Sequence, residues 1–163
     1  QNWPEEINIT KKTIDVDLNL ETNFGPESIK NNIDSKPEFV WMNAESIGDN
    51  DPALNYYSNL PAVFIFDKPL LNYLQLSTKR IIFLLDCLRE LANKRSTQVY
   101  LDNPIEYLKN KNFASTFAAV PKYKKITRVN IPTTEFPSVR LVKPINFYPS
   151  SYSSWKKRIE LNI

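Results

Sequence analysis

With 163 residues, of which 42% are hydrophobic and 24% charged, the chain has the length and composition of one folded domain rather than of a fibrous or disordered protein. It contains no histidine, one cysteine and two glycines, which excludes His-dependent triads, disulfide frameworks, tetrahedral zinc sites and glycine-rich phosphate loops. A formal net charge of +3 does not by itself indicate nucleic-acid binding.

The first 37 residues are polar and contain one alternating hydrophobic pattern. Such alternation is typical of a half-buried strand, because successive side chains point to opposite faces. The stretch 23–26, which includes Gly25 and Pro26, is expected to end this strand. We interpret residues 1–37 as an N-terminal extension with an edge strand or arm that either covers the sheet or binds a partner. The alternating residues are Ile14, Val16, Leu18 and Leu20.

From residue 38 onward, short apolar runs alternate with helical patterns. Apolar runs bounded by turns are typical of parallel strands that are buried on both faces. Their alternation with helices favours right-handed crossovers, so we expect one α/β domain over residues 38–163. The stretch 131–137, with prolines near both ends, is expected to be a surface loop. The predicted strands are 39–42, 62–66, 98–101, 117–120 and 139–142.

Three predicted helices have clear start signals. Asp51 and Pro52 provide an N-cap and a first-turn proline for a short helix through residue 57, and Pro104 begins another. Ser77 caps the longest predicted helix. Cys87 lies near its apolar face, where a free cysteine behaves as a small buried hydrophobe, so no redox role is expected. That face carries Ile81, Leu84, Leu85, Leu88 and Leu91 at helical spacing.

Five segments occur in an order that resembles one known family. Residues 62–67 (AVFIFD), followed by Leu70, Leu71 and the helix capped by Ser77, are similar to its second strand and the next helix. The others are FVWM at 39–42, DNDPAL at 49–54, VYLDNPIEYL at 99–108 and YSSWKK at 152–157. Together they resemble the N-terminal α/β (antenna chromophore-binding) domain of the DNA photolyase/cryptochrome family.

The resemblance covers about residues 38–158 and implies a definite architecture. This is a Rossmann-like five-stranded parallel sheet of order 3-2-1-4-5, with helices on both faces. In the family this domain holds a light-harvesting antenna, so the implied cofactor is a folate or pterin, a deazaflavin or a flavin. The 163 residues do not include the family's FAD-binding catalytic domain, so no catalytic residue is assigned and photolyase catalysis by these residues alone is not expected.

Two loops depart from the family's pattern. After the first strand the chain has NAESIG at 43–48, without the arginines of the family's loop. After the fourth, VPKY at 120–123 keeps only the tyrosine of an Asn-Glu-Asp-Tyr motif. The missing amide and carboxylates are hydrogen-bond partners that a pterin edge needs. The identity of any cofactor is therefore left unknown.

A site position follows from the expected sheet. In open parallel sheets, ligands lie outside the carboxyl ends of the strands where the strand order reverses, here between the first and fourth strands. The alternative is that the polar residues there are solvated loop residues. Asp67 and Arg80 are expected to serve structure, as a cap or an ion pair. The predicted cofactor-binding residues are Asn43, Glu45, Asp49, Lys122 and Tyr123.

An aromatic and basic cluster lies near the C-terminal end. Its residues suit nucleic-acid contact through stacking and phosphate binding, or docking of a protein partner. The partner that the resemblance implies is a separately encoded FAD-binding photolyase-like protein, with DNA contacted only indirectly; a homodimer is another way to cover the exposed surface. The predicted contact residues are Tyr152, Trp155, Lys156 and Lys157, with Tyr148 and Arg158 close by.

Two function classes stay open. The first is a binding module that holds a chromophore or docks to a partner in light-dependent DNA repair or light sensing. The alternative is an accessory nucleic-acid-binding or regulatory protein without an antenna pigment. An enzyme on this fold is less favoured, because the sequence has no histidine, no glycine-rich loop and no evident nucleophile. No apolar run approaches the roughly 20 residues that span a bilayer, and the first residues do not read as a signal peptide, so we expect a cytoplasmic protein with no membrane partner.

Overall fold

A computed structural model describes residues 25–73, 76–142, 151–157 and 159 of the chain. Six strands and six helices are described there, and strands and helices alternate along most of the chain. The strands are β1 (Lys30–Asn31), β2 (Phe39–Met42), β3 (Ala62–Asp67), β4 (Thr97–Asp102), β5 (Phe113–Thr116) and β6 (Thr134–Phe136). The helices are α1 (Pro52–Tyr56), α2 (Lys68–Tyr73), α3 (Thr78–Ala92), α4 (Pro104–Leu108), α5 (Pro121–Val129) and α6 (Tyr152–Lys156).

The strands form one mostly parallel sheet in the order β1-β6-β5-β2-β3-β4. All pairs are parallel except β1 with β6, which is antiparallel and places Lys30 opposite Glu135. The prediction of an α/β fold is confirmed. The five-stranded, all-parallel form of that prediction is not, because a sixth, antiparallel strand closes one edge.

Helices cover both faces of the sheet, and each face has its own core. Neighbouring residues of β2 alternate between the cores: Trp41 packs toward α4 and α5, whereas Val40 packs toward α1 and α3. The first core includes Leu108 and Ile126, and the second includes Leu54 and Leu88. The central strands are therefore buried on both sides, as their continuous apolar sequences require.

The predicted helix starts are confirmed by their capping contacts. The Asp51 carboxylate accepts from the backbone N–H of Leu54 at 2.8 Å, and Pro52 follows in the first turn. Ser77 caps α3 in the same way, and Asn103 precedes Pro104 as the cap of α4. These side chains satisfy N–H groups that have no partner within their own helix.

Two predicted strands are wrong in position. Strand β5 lies at 113–116 rather than 117–120, because it includes Ser115 and Thr116, which are polar but buried. Burial is tolerated because the Thr116 hydroxyl accepts from the N–H of Ala53 at 3.2 Å and the Ser115 hydroxyl bonds locally. Strand β6 lies at 134–136, inside the stretch predicted as a loop, and not at 139–142. Prolines on both sides bound this strand without interrupting it.

The N-terminal extension contributes a short edge strand. Strand β1 adds to β6, and Asn31 accepts a hydrogen bond from Thr134 at 3.2 Å. Just before it, Gly25 has a φ of 71° and lies directly against the ring of Phe117, where no Cβ would fit. The predicted strand from Ile14 to Leu20 lies outside the described residues. A domain boundary at residue 37 stays a prediction.

In the described ranges, no helix combines the length and the apolar character needed to cross a membrane.

Candidate functional site

A cavity of about 230 Å³ opens at the carboxyl ends of the central strands. The chain moves from β2 outward through β3 to β4 and then returns to the other side of β2 at β5, so the strand order reverses there. The cavity lies beside this reversal, where sites in open α/β sheets form. It is bordered by the residues after β2, the end of β3, the start of α5, and parts of α2, α3 and α4.

The walls of the cavity are mainly aromatic and aliphatic. Trp41 and Tyr123 are both buried, and their rings are stacked in parallel, with centroids 5.6 Å apart and an interplanar angle of 3°. Flat walls of this kind suit a planar apolar group. The other apolar lining residues are Met42, Phe64, Ile65, Phe66, Leu70, Leu71, Leu76, Leu84, Pro104, Val120 and Ile126.

Tyr123 is held in place through its hydroxyl group. It donates to the carboxylate of Glu135 on β6 at 2.8 Å. Burial, and then the negative charge of Glu135, raises the pKa of Tyr123 above its ordinary value of 10.0. The phenol therefore stays neutral at physiological pH, and its hydroxyl is engaged by Glu135.

An ion pair links two elements at the cavity rim. The ammonium of Lys122, near the start of α5, lies 3.4 Å from the carboxylate of Asp67 at the end of β3. The same carboxylate accepts from the N–H of Leu70 in α2 at 2.9 Å. The Asp67 side chain is only 16% exposed, so this pair is better shielded than a surface salt bridge. The expected structural role of Asp67 is thus present, with Lys122 as its partner and not Arg80.

Arg80 is the second cation at the rim. It lies in the first turn of α3 and lines the cavity. Within the described part of the chain it has no ion-pair partner, and Glu45 is the remaining charged residue that lines the cavity. The rim therefore carries a cation, Arg80, that forms no ion pair with a carboxylate of the described residues.

The structure brings four of the five predicted cofactor-binding residues together: Asn43, Glu45, Lys122 and Tyr123 line the cavity. The Asn43 amide is already engaged, because it accepts from the N–H of Glu45 at 2.9 Å and donates to the carbonyl of Thr116 at 3.3 Å. It shapes the loop after β2. Asp49 does not line the cavity and forms an ion pair with Lys94 instead.

Two residues that line this cavity were not predicted from the sequence as binding residues. They are Trp41, which was not singled out, and Arg80, which was expected to serve structure. Trp41 lies one residue before the end of a buried strand, next to the strand-order reversal, which is a signal that could have been used. Arg80 had no such signal, because its approach to the cavity depends on how α3 packs across β3 and β4.

A second cavity of about 240 Å³ lies beyond the ends of β5 and β6, beside the start of α1. Asp51 borders it and is largely buried, and burial raises the pKa of this carboxyl above 3.8 against the opposing effect of its hydrogen bonds. Its carboxylate already caps α1. We assign this carboxyl a structural role.

The C-terminal cluster forms a separate surface on α6. The rings of Tyr152 and Trp155 are 5.5 Å apart, Tyr152 is 71% exposed, and Lys156 and Lys157 are exposed beside them. Tyr148 and Arg158 lie outside the described residues. The described residues contain no group of acidic and cysteine side chains that could hold a metal ion.

Comparison with family models, curated proteins and solved structures gives no significant match to this chain.

Proposed function

We propose that this chain is a binding module, a photolyase/cryptochrome-like α/β domain that holds a planar ligand in the cavity beside β2. The observation that carries the proposal is the cavity itself, with stacked Trp41 and Tyr123 as a wall and Arg80 at the rim. An apolar pocket with a few charged groups at this place in an α/β sheet is the usual form of an organic-ligand site.

The size of the cavity indicates which part of the ligand it holds. Sites for whole organic ligands usually measure about 300 to 1,000 Å³, and this one is smaller at about 230 Å³. A fused ring system would fill it and leave a tail at the open side. A tail with a carboxylate or phosphate would meet Arg80 and would lie beside the Lys122–Asp67 ion pair. Reduced folates and flavins combine such rings with such tails, and both are among the cofactor classes that the family resemblance implies.

In this proposal the module supplies binding and not catalysis. The resemblance adds an FAD-binding photolyase-like domain as the partner to which the module docks, with DNA contacted only by that partner. The loops that depart from the family's pattern leave the choice among folate, deazaflavin and flavin open.

Titration with flavin mononucleotide or a reduced folate tests the proposal. We expect saturable quenching of tryptophan fluorescence, because the ring system would contact Trp41. Arg80→Ala is expected to weaken binding by about 10-fold, the loss of one charge-assisted hydrogen bond. Lys125→Ala is the matched control, because Lys125 is exposed on α5 and does not line the cavity.

Two results would contradict the cavity assignment. One is the absence of any spectral change with either ligand at millimolar concentration. The other is equal weakening by Arg80→Ala and Lys125→Ala, which would indicate nonspecific attraction to positive charge.

The aromatic pair on α6, with Tyr152 exposed and Trp155 half-buried, favours a second candidate function, contact with single-stranded nucleic acid. Tyr152 and Trp155 provide stacking faces, and Lys156 and Lys157 provide phosphate contacts. If this holds, Trp155→Ala weakens binding to a fluorescent oligonucleotide by about 1 to 3 kcal/mol. Lys156→Ala is expected to reduce the slope of the logarithm of the binding constant against the logarithm of the salt concentration by about one. Phe83→Ala, on the exposed side of α3, serves as the control. Equal affinity of Trp155→Ala and the original chain would rule this function out.

A further inference from the structure

The two edges of the sheet differ in their protection against pairing with another strand. The β1 edge is two residues long and carries a lysine, both of which discourage pairing. The β4 edge is six residues long, and Thr97–Leu101 contains no charge, proline or glycine. Five of its six residues are exposed. Strand β4 therefore lacks the features that usually keep an edge strand unpaired.

The backbone of β4 offers a regular set of donors and acceptors. The N–H of Ala62 donates to the carbonyl of Ser96 at 2.8 Å, so residue 96 faces β3. Because backbone groups alternate in direction along a strand, Thr97, Val99 and Leu101 direct their N–H and C=O groups away from β3. No other described strand pairs with this side of β4, so these three residues form its open edge.

Apolar side chains flank this edge on the α3 side. Leu101 is 62% exposed and Val99 is 44% exposed, and both lie on the face covered by α3, since they pair with Phe66 and Phe64. Ile82 and Leu85 are exposed on the flank of α3 opposite the one whose Arg80 lines the cavity. The four apolar side chains therefore border β4 and not the cavity.

We propose that a second copy of this chain pairs with β4, antiparallel across a twofold axis at Val99. Val99 would then lie opposite the partner's Val99, and Thr97 opposite the partner's Leu101. All three outward-facing residues of each copy would be bonded, and the two six-stranded sheets would join into one.

The proposed register is self-complementary in charge and shape. It places no two charged residues opposite each other, because Asp102 is the only charged residue of β4 and lies near the end of the strand pair. The two Asp102 carboxylates would be about 20 Å apart, well beyond the screening length at physiological salt. Beside the strands, the exposed Ile82 and Leu85 of the two α3 helices would approach each other.

The area of this face is sufficient for a dimer. Strand β4 is about 20 Å long, and the helix, sheet and helix layers at this edge are about 30 Å thick. The face thus measures roughly 600 Å² per copy, or about 1,200 Å² for the pair, at the lower limit of specific interfaces. We therefore expect an equilibrium between monomer and dimer, not a permanent dimer.

Sedimentation of the full chain between 1 and 200 µM tests the proposal. We expect the mass to rise from monomer to dimer, and both Val99→Lys and Leu101→Lys to remain monomeric across the range. Phe83→Lys is the matched control, because Phe83 is about as exposed as Leu101 but lies on the flank of α3 away from β4. A chain that is monomeric throughout, as pairing of β4 with the Ile14–Leu20 segment in the same copy would produce, overturns the proposal. So does a dimer that both β4 variants retain.

A cross-linking experiment tests the register. In a Cys87→Ser background, Val99→Cys is expected to form a disulfide-linked dimer under mild oxidation, because hydrogen-bonded antiparallel pairs have Cα atoms about 5.5 Å apart. Leu101→Cys in the same background places the two thiols more than about 10 Å apart and is expected not to cross-link. Efficient cross-linking of Leu101→Cys with none for Val99→Cys would overturn the proposed axis.

Discussion

Replacing Phe113 with alanine is expected to lower the free energy of unfolding by about 3 to 5 kcal/mol, the usual loss for a fully buried phenylalanine. Phe113 is buried at the start of β5 and contacts two aromatic rings of β2. It stacks on Phe39 at 6.1 Å and meets Trp41 edge to face at 5.8 Å. Because Trp41 is a wall of the cavity, the same change is expected to weaken ligand binding.

Urea denaturation followed by circular dichroism measures this effect. Phe113→Leu retains most of the buried volume and is expected to lose less than about 1.5 kcal/mol. Phe83→Ala removes the same ring from an exposed position and is expected to change stability by less than about 0.5 kcal/mol. If Phe113→Ala were as stable as Phe83→Ala, Phe113 could not lie in the core and the position of β5 would be wrong.

Replacing Arg95 with alanine is expected to destabilise the fold by about 3 kcal/mol, since hydrogen bonds from a charged donor contribute about 1.5 to 3 kcal/mol each and do not add fully. The Arg95 guanidinium donates to the carbonyl oxygens of Leu54 at 2.9 Å and Tyr57 at 2.7 Å. It also donates to the carbonyl of Leu60, just before β3. One side chain after α3 thus fixes the connection from α1 to β3.

Arg95→Lys is expected to recover only part of this loss, because a single ammonium group cannot reach carbonyls that a planar guanidinium bridges. Arg89→Ala, in the last turn of α3, is the matched control. Its ion pair with Asp86 is 3.6 Å long and both side chains are largely exposed, so we expect a change below about 0.5 kcal/mol. Thermal unfolding of the three variants checks this order, and a fully stable Arg95→Lys would show that charge alone is sufficient.

The proposed ligand cavity and the proposed dimer face are separate. The cavity opens at the carboxyl ends of β2 and β3 and involves one flank of α3, whereas the dimer face involves β4 and the other flank. Variants of Val99 are therefore expected to leave ligand binding unchanged, and variants of Arg80 to leave the mass unchanged. Failure of one proposal would not decide the other.

The resemblance to photolyase antenna domains stays a prediction. It rests on short segments in a matching order, and the comparisons neither support nor exclude it. What the structure shows is the coarser statement: an α/β domain with a mostly parallel sheet and helices on both faces.

The position of the cavity was predicted from the sequence, but only part of its lining was. The rule that sites lie at the strand-order reversal led to Asn43, Glu45, Lys122 and Tyr123, all of which line the cavity. The rule could not exclude Asp49, because the ion pair that occupies its carboxylate is formed with Lys94, which follows α3 and lies 45 residues further along the chain. Nor could it show that the Asn43 amide is already bonded.

The sequence by itself determined the features that depend on neighbouring residues. The starts of α1 and α3 could be predicted because a capping side chain and the N–H group that donates to it are three residues apart. The start of α4 could be predicted because proline is favoured in the first turn of a helix. The apolar runs of β2 and β3 likewise identified strands that are buried on both faces.

Only the tertiary structure decided the features that depend on distant partners. Strand β5 includes Ser115 and Thr116 because hydroxyl groups can be buried when distant elements supply their hydrogen bonds, as α1 does for Thr116. Strand β6 is three residues long, too short for any periodicity, and is a strand because β5 and β1 pair with it. Pairing and burial are properties of the assembled sheet, so hydropathy along the chain could not locate these two strands.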